Sequence, residues 1–341
     1  MNILIVKIGA IGDVIMALPM IDAIRGKYPE ARISWLCGKT VAPLLKAVGT
    51  IDEIIAVDEK RLLTGTLLGK LSVLISVWKQ LAGHFFDLIV TGHSDPRYRL
   101  LSLTALGKER RSFARGKKRF CPVPGRYHTD EYVRLITNVD GPEAIHGRLH
   151  KLAVLLPDNL QSEFKPGYFP VVALSPGGAK NVLRDDAIRR WPLENYVLLA
   201  RELIKGKVKV VITGASSDQW VSDSFSGLEV IDLVGKTSLM DMAALLGACD
   251  LVVSHDSGPL HLADLAGTFV IALFGPTNPH ELAPYNNQSK ILWGGENLAC
   301  RPCYDGRTYA KCSNNICMQE ISVDVVYNTA MEILGRKVFK Q

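Results

Sequence analysis

A rhythm that the chain carries twice limits its fold more than any other feature. Short, continuously apolar runs rich in β-branched residues alternate with stretches of helical period. Ile3–Val6, Ile33–Cys37, Ile54–Val57 and Asp87–Thr91 read as strands, separated by helices over Val14–Lys27, Val41–Val48 and Leu67–Leu81. Strands that are apolar along their whole length are buried on both faces, so the pattern predicts a parallel sheet with helices on each side. Between 139 and 170 the rhythm stops, in a stretch that holds Pro142, Pro157, Pro166, Pro170, Gly141, Gly147 and Gly167. It then resumes with strands at Val171–Leu174, Val208–Thr213, Leu251–Ser254 and Phe269–Phe274. The helices between them are Leu193–Ile204, Leu239–Gly247 and Pro259–Ala266, and a last one covers Val323–Leu334. A length of 341 residues, 48% of them hydrophobic, suits two cores better than one. The expected fold class is therefore α/β, with two doubly wound parallel-sheet domains facing a central cleft. The expected bounds are 1–160, 170–320, and a C-terminal helix and tail over 321–341. Ligands of such folds bind at the carboxyl ends of the strands.

Charge separates the halves. Residues 1–150 hold 22 Lys and Arg against 14 Asp and Glu, a net of +8, whereas residues 151–341 hold 18 against 20, a net of −2. The excess is densest from Lys108 to Arg119, where Lys108, Arg110, Arg111, Arg115, Lys117, Lys118 and Arg119 face only Glu109. The block reads either as a solvated loop or as a surface for an anionic partner. Only Phe113 and Phe120 interleave with it, which disfavours nucleic acid. No apolar run reaches the roughly 20 residues a spanning helix needs. The N-terminus shows neither basic region nor cleavage site, so a cytoplasmic protein is expected. The Leu67–Phe86 stretch reads either as a buried helix or as an amphipathic face in peripheral contact with the inner membrane.

Four turns after strands hold chemistry. In Lys7-Ile8-Gly9-Ala10-Ile11-Gly12-Asp13, the glycines let a ligand approach the backbone, and Asp13 at the helix start reads either as a helix cap or as a base for a hydroxyl proton. Ser175-Pro176-Gly177-Gly178-Ala179-Lys180 offers free N–H groups and a cation to a diphosphate. Beyond it lie Arg184, Arg189 and Arg190, then Trp191, a core anchor or a ligand contact. His255-Asp256-Ser257-Gly258-Pro259-Leu260-His261 sets Pro259 at a helix start, with Asp256 and His261 able to meet a sugar. Gly275-Pro276-Thr277-Asn278-Pro279 is a further turn at the same edge.

In this order and spacing the strings resemble the ADP-heptose:lipopolysaccharide heptosyltransferases, glycosyltransferase family nine. The strings are Lys7 with Gly12-Asp13, Arg190-Trp191-Pro192, Gly214-Ala215-Ser216-Ser217-Asp218, Lys236-Thr237-Ser238-Leu239, Asp256-Ser257-Gly258 with His261, and Gly275-Pro276-Thr277. The resemblance implies a GT-B architecture of two Rossmann-like domains, acceptor in the first and nucleotide-sugar in the second. It implies inverting transfer of heptose from ADP-heptose, with no cofactor required for catalysis, to an inner-core lipopolysaccharide or related anionic glycolipid. By that analogy Asp13 is the catalytic base. Ser175, Gly177, Gly178, Lys180, Asp218, Thr237, Asp256, Ser257, Gly258 and His261 hold the donor; Lys180, Arg184 and Arg190 compete for its phosphates. Lys7, Lys60, Arg61, Arg110 and Arg111 are acceptor-side cations. The alternatives are another donor, a protein acceptor, or a sugar-nucleotide epimerase.

Cys300, Cys303, Cys312 and Cys317 are crowded near the C-terminus. They read as a structural zinc or iron site or as unligated thiols, since a reducing compartment disfavours disulfides.

Overall fold

The computed structural model describes residues 1–114, 120–139, 152, 154–161, 164, 169–284, 286–306 and 308–338. Most of the Pro- and Gly-rich boundary stretch lies outside them, as do Arg115, Lys117, Lys118 and Arg119 of the basic block. The chain divides into two compact units, Met1–His150 with Asn181–Leu183, and Lys151–Lys180 with Arg184–Gln341.

The first unit is a five-stranded parallel sheet of β1 (Asn2–Val6), β2 (Arg32–Gly38), β3 (Glu53–Val57), β4 (Phe85–Thr91) and β5 (Leu106–Ser112), in the order β3-β2-β1-β4-β5. Its helices are α1 (Ile11–Ala17), α2 (Pro19–Lys27), α3 (Ala42–Val48), α4 (Glu59–Thr64), α5 (Leu67–Leu81) and α6 (His128–Thr137). The single helix expected over Val14–Lys27 is two, parted at Leu18, because Pro19 has no N–H with which to continue the first. One core packs Leu4, Val6, Leu36, Ile55 and Ile89 against Val73, Val77 and Leu81 of α5. Strand β5, within the basic block, was not foreseen. It is a polar edge strand, where charged side chains are expected.

The second unit has six parallel strands: β6 (Val171–Ser175), β7 (Lys209–Ile212), β8 (Val230–Asp232), β9 (Leu251–His255), β10 (Phe269–Phe274) and β11 (Ser289–Trp293). Their order is β11-β10-β9-β6-β7-β8. Its helices are α7 (Asp158–Gln161), α8 (Leu193–Lys205), α9 (Leu239–Ala248), α10 (Gly258–Ala266), α11 (Pro279–Leu282), α12 (Ile316–Gln319) and α13 (Val323–Val338). Trp191 is a core anchor: 1% exposed, it packs edge-on to Tyr196 at 4.9 Å and donates its Nε1 hydrogen to the Ile321 carbonyl at 2.9 Å. Val326, Ala330 and Leu334 of α13 share that core with Leu199 and Leu203 of α8, so the last helix completes the second unit.

Both strand orders reverse direction once. In the first sheet the chain runs outward from β1 to β3, then crosses to β4 on the other side of β1. In the second it runs from β6 to β8, then crosses to β9 beside β6. Loops leaving adjacent strands at such a reversal diverge to opposite faces and open a crevice at the carboxyl edge. The first sheet therefore aims Lys7–Asp13 and the loop after β4 at one point, and the second aims Ser175–Lys180 and Asp256–His261 at another. Among the described residues no helix is long and apolar enough to cross a membrane.

Asp264 sits near the carboxyl end of α10, 8% exposed, where burial and the helix dipole both disfavour its charge. Burial lifts its pKa from 3.8 to about 6, against a hydrogen bond from the Asn286 amide that opposes the rise. A carboxyl raised on folding stabilises the fold below about pH 4 and loses that contribution as pH rises through about 6, for a maximum of ~3 kcal/mol. Asp264→Asn should therefore gain stability over the parent at pH 8 and lose most of that advantage by about pH 4, as read by melting temperatures across pH. An equal difference at both pH values would contradict this.

Candidate active site

At the reversal point of the first sheet, Lys7 ends β1 on its way into α1. It is 2% exposed, its Nζ 3.0 Å from Asp13 Oδ2 and 5.2 Å above the Tyr132 ring of α6. Asp13 lies in the first turn of α1 with its side chain 44% exposed, within reach of a ligand. The surrounding protein pushes the Asp13 carboxyl up, but the charge and hydrogen bond of Lys7 outweigh this and leave it at about 2. Lys7 is raised in turn: burial works against its charge and Asp13 and Tyr132 overcome it. The pair is a salt bridge that holds Asp13 ionised. Asp13 does not cap its helix, since α1 begins at Ala10 without a side-chain cap.

From β4 comes His93. Its Nε2 accepts the Ile8 N–H at 2.9 Å, and its ring stacks on Tyr98 at 3.8 Å. Burial, then the Lys7 charge, lowers its pKa well below the usual range, so it is a neutral acceptor that fixes the Lys7–Asp13 turn. His93, Tyr98 and Tyr132 were missed in the sequence, where a lone His after a strand and two scattered tyrosines gave no spacing signal.

The other acceptor-side cations lie elsewhere. Arg110 donates to the Ser102 and Ala105 carbonyls. Arg111, 8% exposed, pairs with Glu109 at 2.7 Å and donates to the Leu135 and Ile136 carbonyls. Both guanidiniums tie β5 to its neighbours; Arg111 is buried, whereas Arg110 is exposed. Lys60 is exposed on α4, two strands from β1. Arg61, beside it, lines a cavity of about 200 Å³ with Lys39, Asp58, Ser72, Ser76 and Gln80.

At the second reversal point the loops after β6 and β9 abut. A Cβ on Gly178, at φ +83°, would lie 3.3 Å from the Ser257 Cβ. A Cβ on Gly177 would lie 2.5 Å from Asp218 Cγ, so only glycine fits there. Asp218 is 3% exposed and accepts the Ala215 N–H at 2.9 Å. Its side chain packs against Gly177 of the loop after β6. Ser257 precedes α10 but does not cap it; its hydroxyl donates to the His255 carbonyl at 3.2 Å. Pro259 takes the first turn of α10, whose N–H groups form an anion-binding end. Asp256, 4% exposed, accepts from Thr277 Oγ1 at 2.9 Å and from Arg189 at 3.2 Å, with His261 Nε2 4.0 Å away. Arg189 also pairs with Asp186 at 3.4 Å. Arg190 donates to the Gly178 carbonyl at 3.0 Å and pairs with Asp185 at 2.5 Å. Arg184 lies 3.8 Å from Asp186. Of the basic residues in this loop, Lys180 is exposed and has no ion pair among the described residues. At the same edge the buried hydroxyls of Ser175, Thr213 and Thr237 and the Arg189 Nε have no hydrogen-bond partner among the described residues. Thr213 carried no signal in the sequence.

The four clustered cysteines share one region of the second unit but do not form a metal cage. Among the described residues no three His, Cys, Asp or Glu side chains are arranged to hold a metal ion. Cys300 and Cys312 are exposed, and Cys317 is buried on α12 against Gly275 and Gly295. The Cys303 carbonyl accepts the Ala310 N–H at 3.0 Å, closing a small hairpin between Cys303 and Cys312. Burial, then the neighbouring thiols, raises the Cys303 pKa; burial and Cys303 take Cys317 to about 11. The metal site expected from the spacing is therefore not seen among the described residues.

Two parallel sheets, one with a carboxylate and one with free hydroxyls and a helix N-terminus at its strand reversal, make the two-domain plan of a nucleotide-sugar enzyme. Comparison with known proteins gives its relatives. Residues 158–313 match the model of glycosyltransferase family 9 (heptosyltransferase). Over 311 residues the chain is 27% identical to the lipopolysaccharide core heptosyltransferase OpsX of Haemophilus influenzae, covering 85% of this chain and 84% of that one. Its fold matches the family 9 glycosyltransferase of Veillonella parvula with a TM-score of 0.75 at 20% identity, over 98% and 97% of the two chains. It matches the Escherichia coli ADP-heptose lps heptosyltransferase II with a TM-score of 0.72 at 18% identity, over 99% of each. The chain is thus a homologue of the lipopolysaccharide heptosyltransferases over most of its length, and its second unit carries the match to the family 9 model.

Proposed function

We propose that this enzyme works in the cytoplasm and transfers heptose from ADP-heptose, with inversion and without a metal cofactor, to an inner-core lipopolysaccharide or related anionic glycan. The observation that carries the donor half is the set of unpartnered buried polar atoms at one sheet edge: the Ser175, Thr213 and Thr237 hydroxyls and the Arg189 Nε. A native fold seldom leaves buried polar groups unmatched, and a ligand rich in phosphate and hydroxyl oxygens matches these. The donor diphosphate lies on the N–H groups of Gly177, Gly178 and Gly258 at the start of α10, with Lys180 as its cation. Ser257 flanks the phosphates, and Thr237 faces the nucleoside. Asp256 and His261 receive the sugar hydroxyls. Asp218 holds the loops that make this surface.

The acceptor hydroxyl meets Asp13. As its oxygen bonds to the anomeric carbon, the bond from that carbon to the diphosphate oxygen breaks and the electron pair leaves with ADP. The hydroxyl proton passes to Asp13, and a single displacement inverts the configuration. Lys7 holds one Asp13 oxygen at 3.0 Å, which leaves the other for the acceptor. Lys60 and Arg61 supply charge farther out on the first unit, in keeping with its net of +8.

Calorimetry with ADP-heptose against UDP-, GDP- and other ADP-sugars tests the donor. ADP-heptose should bind most tightly, and preference for another sugar nucleotide would discard the heptose assignment. Lys180→Ala should weaken donor binding about ten- to a hundred-fold, the worth of one charged hydrogen bond of roughly 1.5–3 kcal/mol. If Arg190→Ala has that effect and Lys180→Ala none, the phosphate role moves to Arg190.

A further inference from the structure

Helix α5 carries two apolar faces, and the core uses only one. Gly69, Val73, Val77 and Leu81 are buried, and the last three join the core of the first sheet. Leu67, Leu68, Leu71 and Ile75 fall on a different arc of about 100° at helical spacing. They are 82%, 79%, 44% and 40% exposed. Trp78 continues that arc, half-buried, and donates its Nε1 hydrogen to the Leu100 carbonyl at 2.6 Å. There the patch passes to the neighbouring 3-10 helix, Pro96–Ser102, where Leu100 is 45% exposed and Leu103 just beyond it is 59% exposed. Folding of this chain gives no reason for leucines at 67, 68 and 71. Scattered exposed leucines are ordinary, but a contiguous stripe on one helix marks a contact surface.

Charge identifies the partner. Lys70 and Lys79 flank the stripe on its two sides, and α4 before it carries Lys60 and Arg61. From Lys60 to Phe86 there is not one Asp or Glu. Asp58 and Glu59 at the start of α4 are engaged by the Arg61, Lys39 and Thr40 N–H groups, so a leucine-rich face whose own helix carries only cations fits an anionic phospholipid bilayer, with the helix lying in the interface and its leucines among the acyl chains. A face made for another protein or a second copy would carry both signs at its rim to set register.

We propose that α5 docks this enzyme on an anionic bilayer through Leu67, Leu68, Leu71 and Ile75, with Lys70 and Lys79 at the phosphate level. The 3-10 helix that ends the stripe also carries Tyr98, stacked on His93 at 3.8 Å. The docked face is thus linked within the same unit to the turn that holds Asp13. The surface stands independently of the donor's identity.

Flotation of the full chain with vesicles tests it, using phosphatidylcholine alone and phosphatidylcholine with roughly a third phosphatidylglycerol. The wild type should float with the anionic vesicles and not the neutral ones, and salt should weaken the binding. Leu68→Glu with Leu71→Glu should lower the partition coefficient at least about tenfold while circular dichroism and donor affinity stay unchanged. Because that pair alters charge as well as apolarity, Leu68→Ser with Leu71→Ser serves as the neutral control and should also lose binding. Lys70→Gln with Lys79→Gln should reduce the preference for anionic lipid. Equal binding by wild type and the leucine variants, or no binding by wild type, would overturn the proposal. So would a wild-type dimer in sedimentation that the leucine substitutions dissolve, which would assign the face to a second copy.

Discussion

Asp13→Asn is expected to lower kcat by about 10²- to 10⁴-fold, the usual contribution of a general base, with donor affinity unchanged. The substitution keeps size and shape and removes only the ability to take a proton. Asp13 belongs to the first unit and the donor surface to the second, so calorimetric binding of the donor should survive. Because Lys7 holds Asp13 ionised down to about pH 2, kcat/KM, which reports the free enzyme, should show no acid limb from this residue in the range where the protein stays folded. So low a pKa makes a weak base in the ground state. The acceptor hydroxyl, however, becomes strongly acidic as its oxygen bonds to carbon, and an ionised, oriented carboxylate suffices at that moment. Lys7→Met would then return Asp13 toward the ordinary carboxylate range, and an acid limb should emerge in the kcat/KM profile. Transfer that persists in Asp13→Asn would remove the base assignment.

The sequence made the strands, their parallel pairing and the two-sheet plan readable because buried parallel strands need unbroken apolar runs, as in Ile3–Val6 and Leu251–Ser254. It hid the edge strands β5, β8 and β11 because a strand with one solvated side need not be apolar throughout; Lys108-Glu109-Arg110-Arg111 has the composition of a loop. The turns that converge on the reversal points were visible, since glycine, proline and Asp after a strand are local signals. What those turns meet was not. His93 reaches Ile8 from 85 positions away, and Tyr132 comes to Lys7 from α6. Such contacts depend on strand order, which short-range spacing does not encode. Asp218 shows the same limit in reverse. Its motif suggests a ligand contact, and the spacing gives no sign that Gly177 packs against its side chain. Likewise, four cysteines spaced within 18 residues suggested a metal, but spacing does not set the side-chain geometry, and among the described residues no three ligands are arranged to hold an ion.

Asp256→Ala should be the most destabilising single change in the second unit's site. The carboxylate is 4% exposed and joins three elements: Arg189 before α8, Thr277 after β10, and its own turn after β9. Truncation leaves the Arg189 guanidinium, 17% exposed, with only Asp186 at 3.4 Å, and the Thr277 hydroxyl loses its acceptor. Breaking a buried pair from one side typically costs about 3–5 kcal/mol, and the remaining Asp186 contact places this case at the lower end. The measurement is urea unfolding followed by tryptophan fluorescence, since Trp191, Trp220 and Trp293 lie in the second unit. The midpoint should fall at constant slope. Asp256→Asn separates stability from sugar recognition, because it keeps an acceptor for Thr277 and removes the charge opposite Arg189. It should recover part of the lost stability. If Asp256 also receives the donor's hydroxyls, Asp256→Asn will bind ADP more nearly normally than the full sugar nucleotide. Equal weakening of both would make Asp256 a support for Arg189 alone, and the sugar contact would then rest on His261.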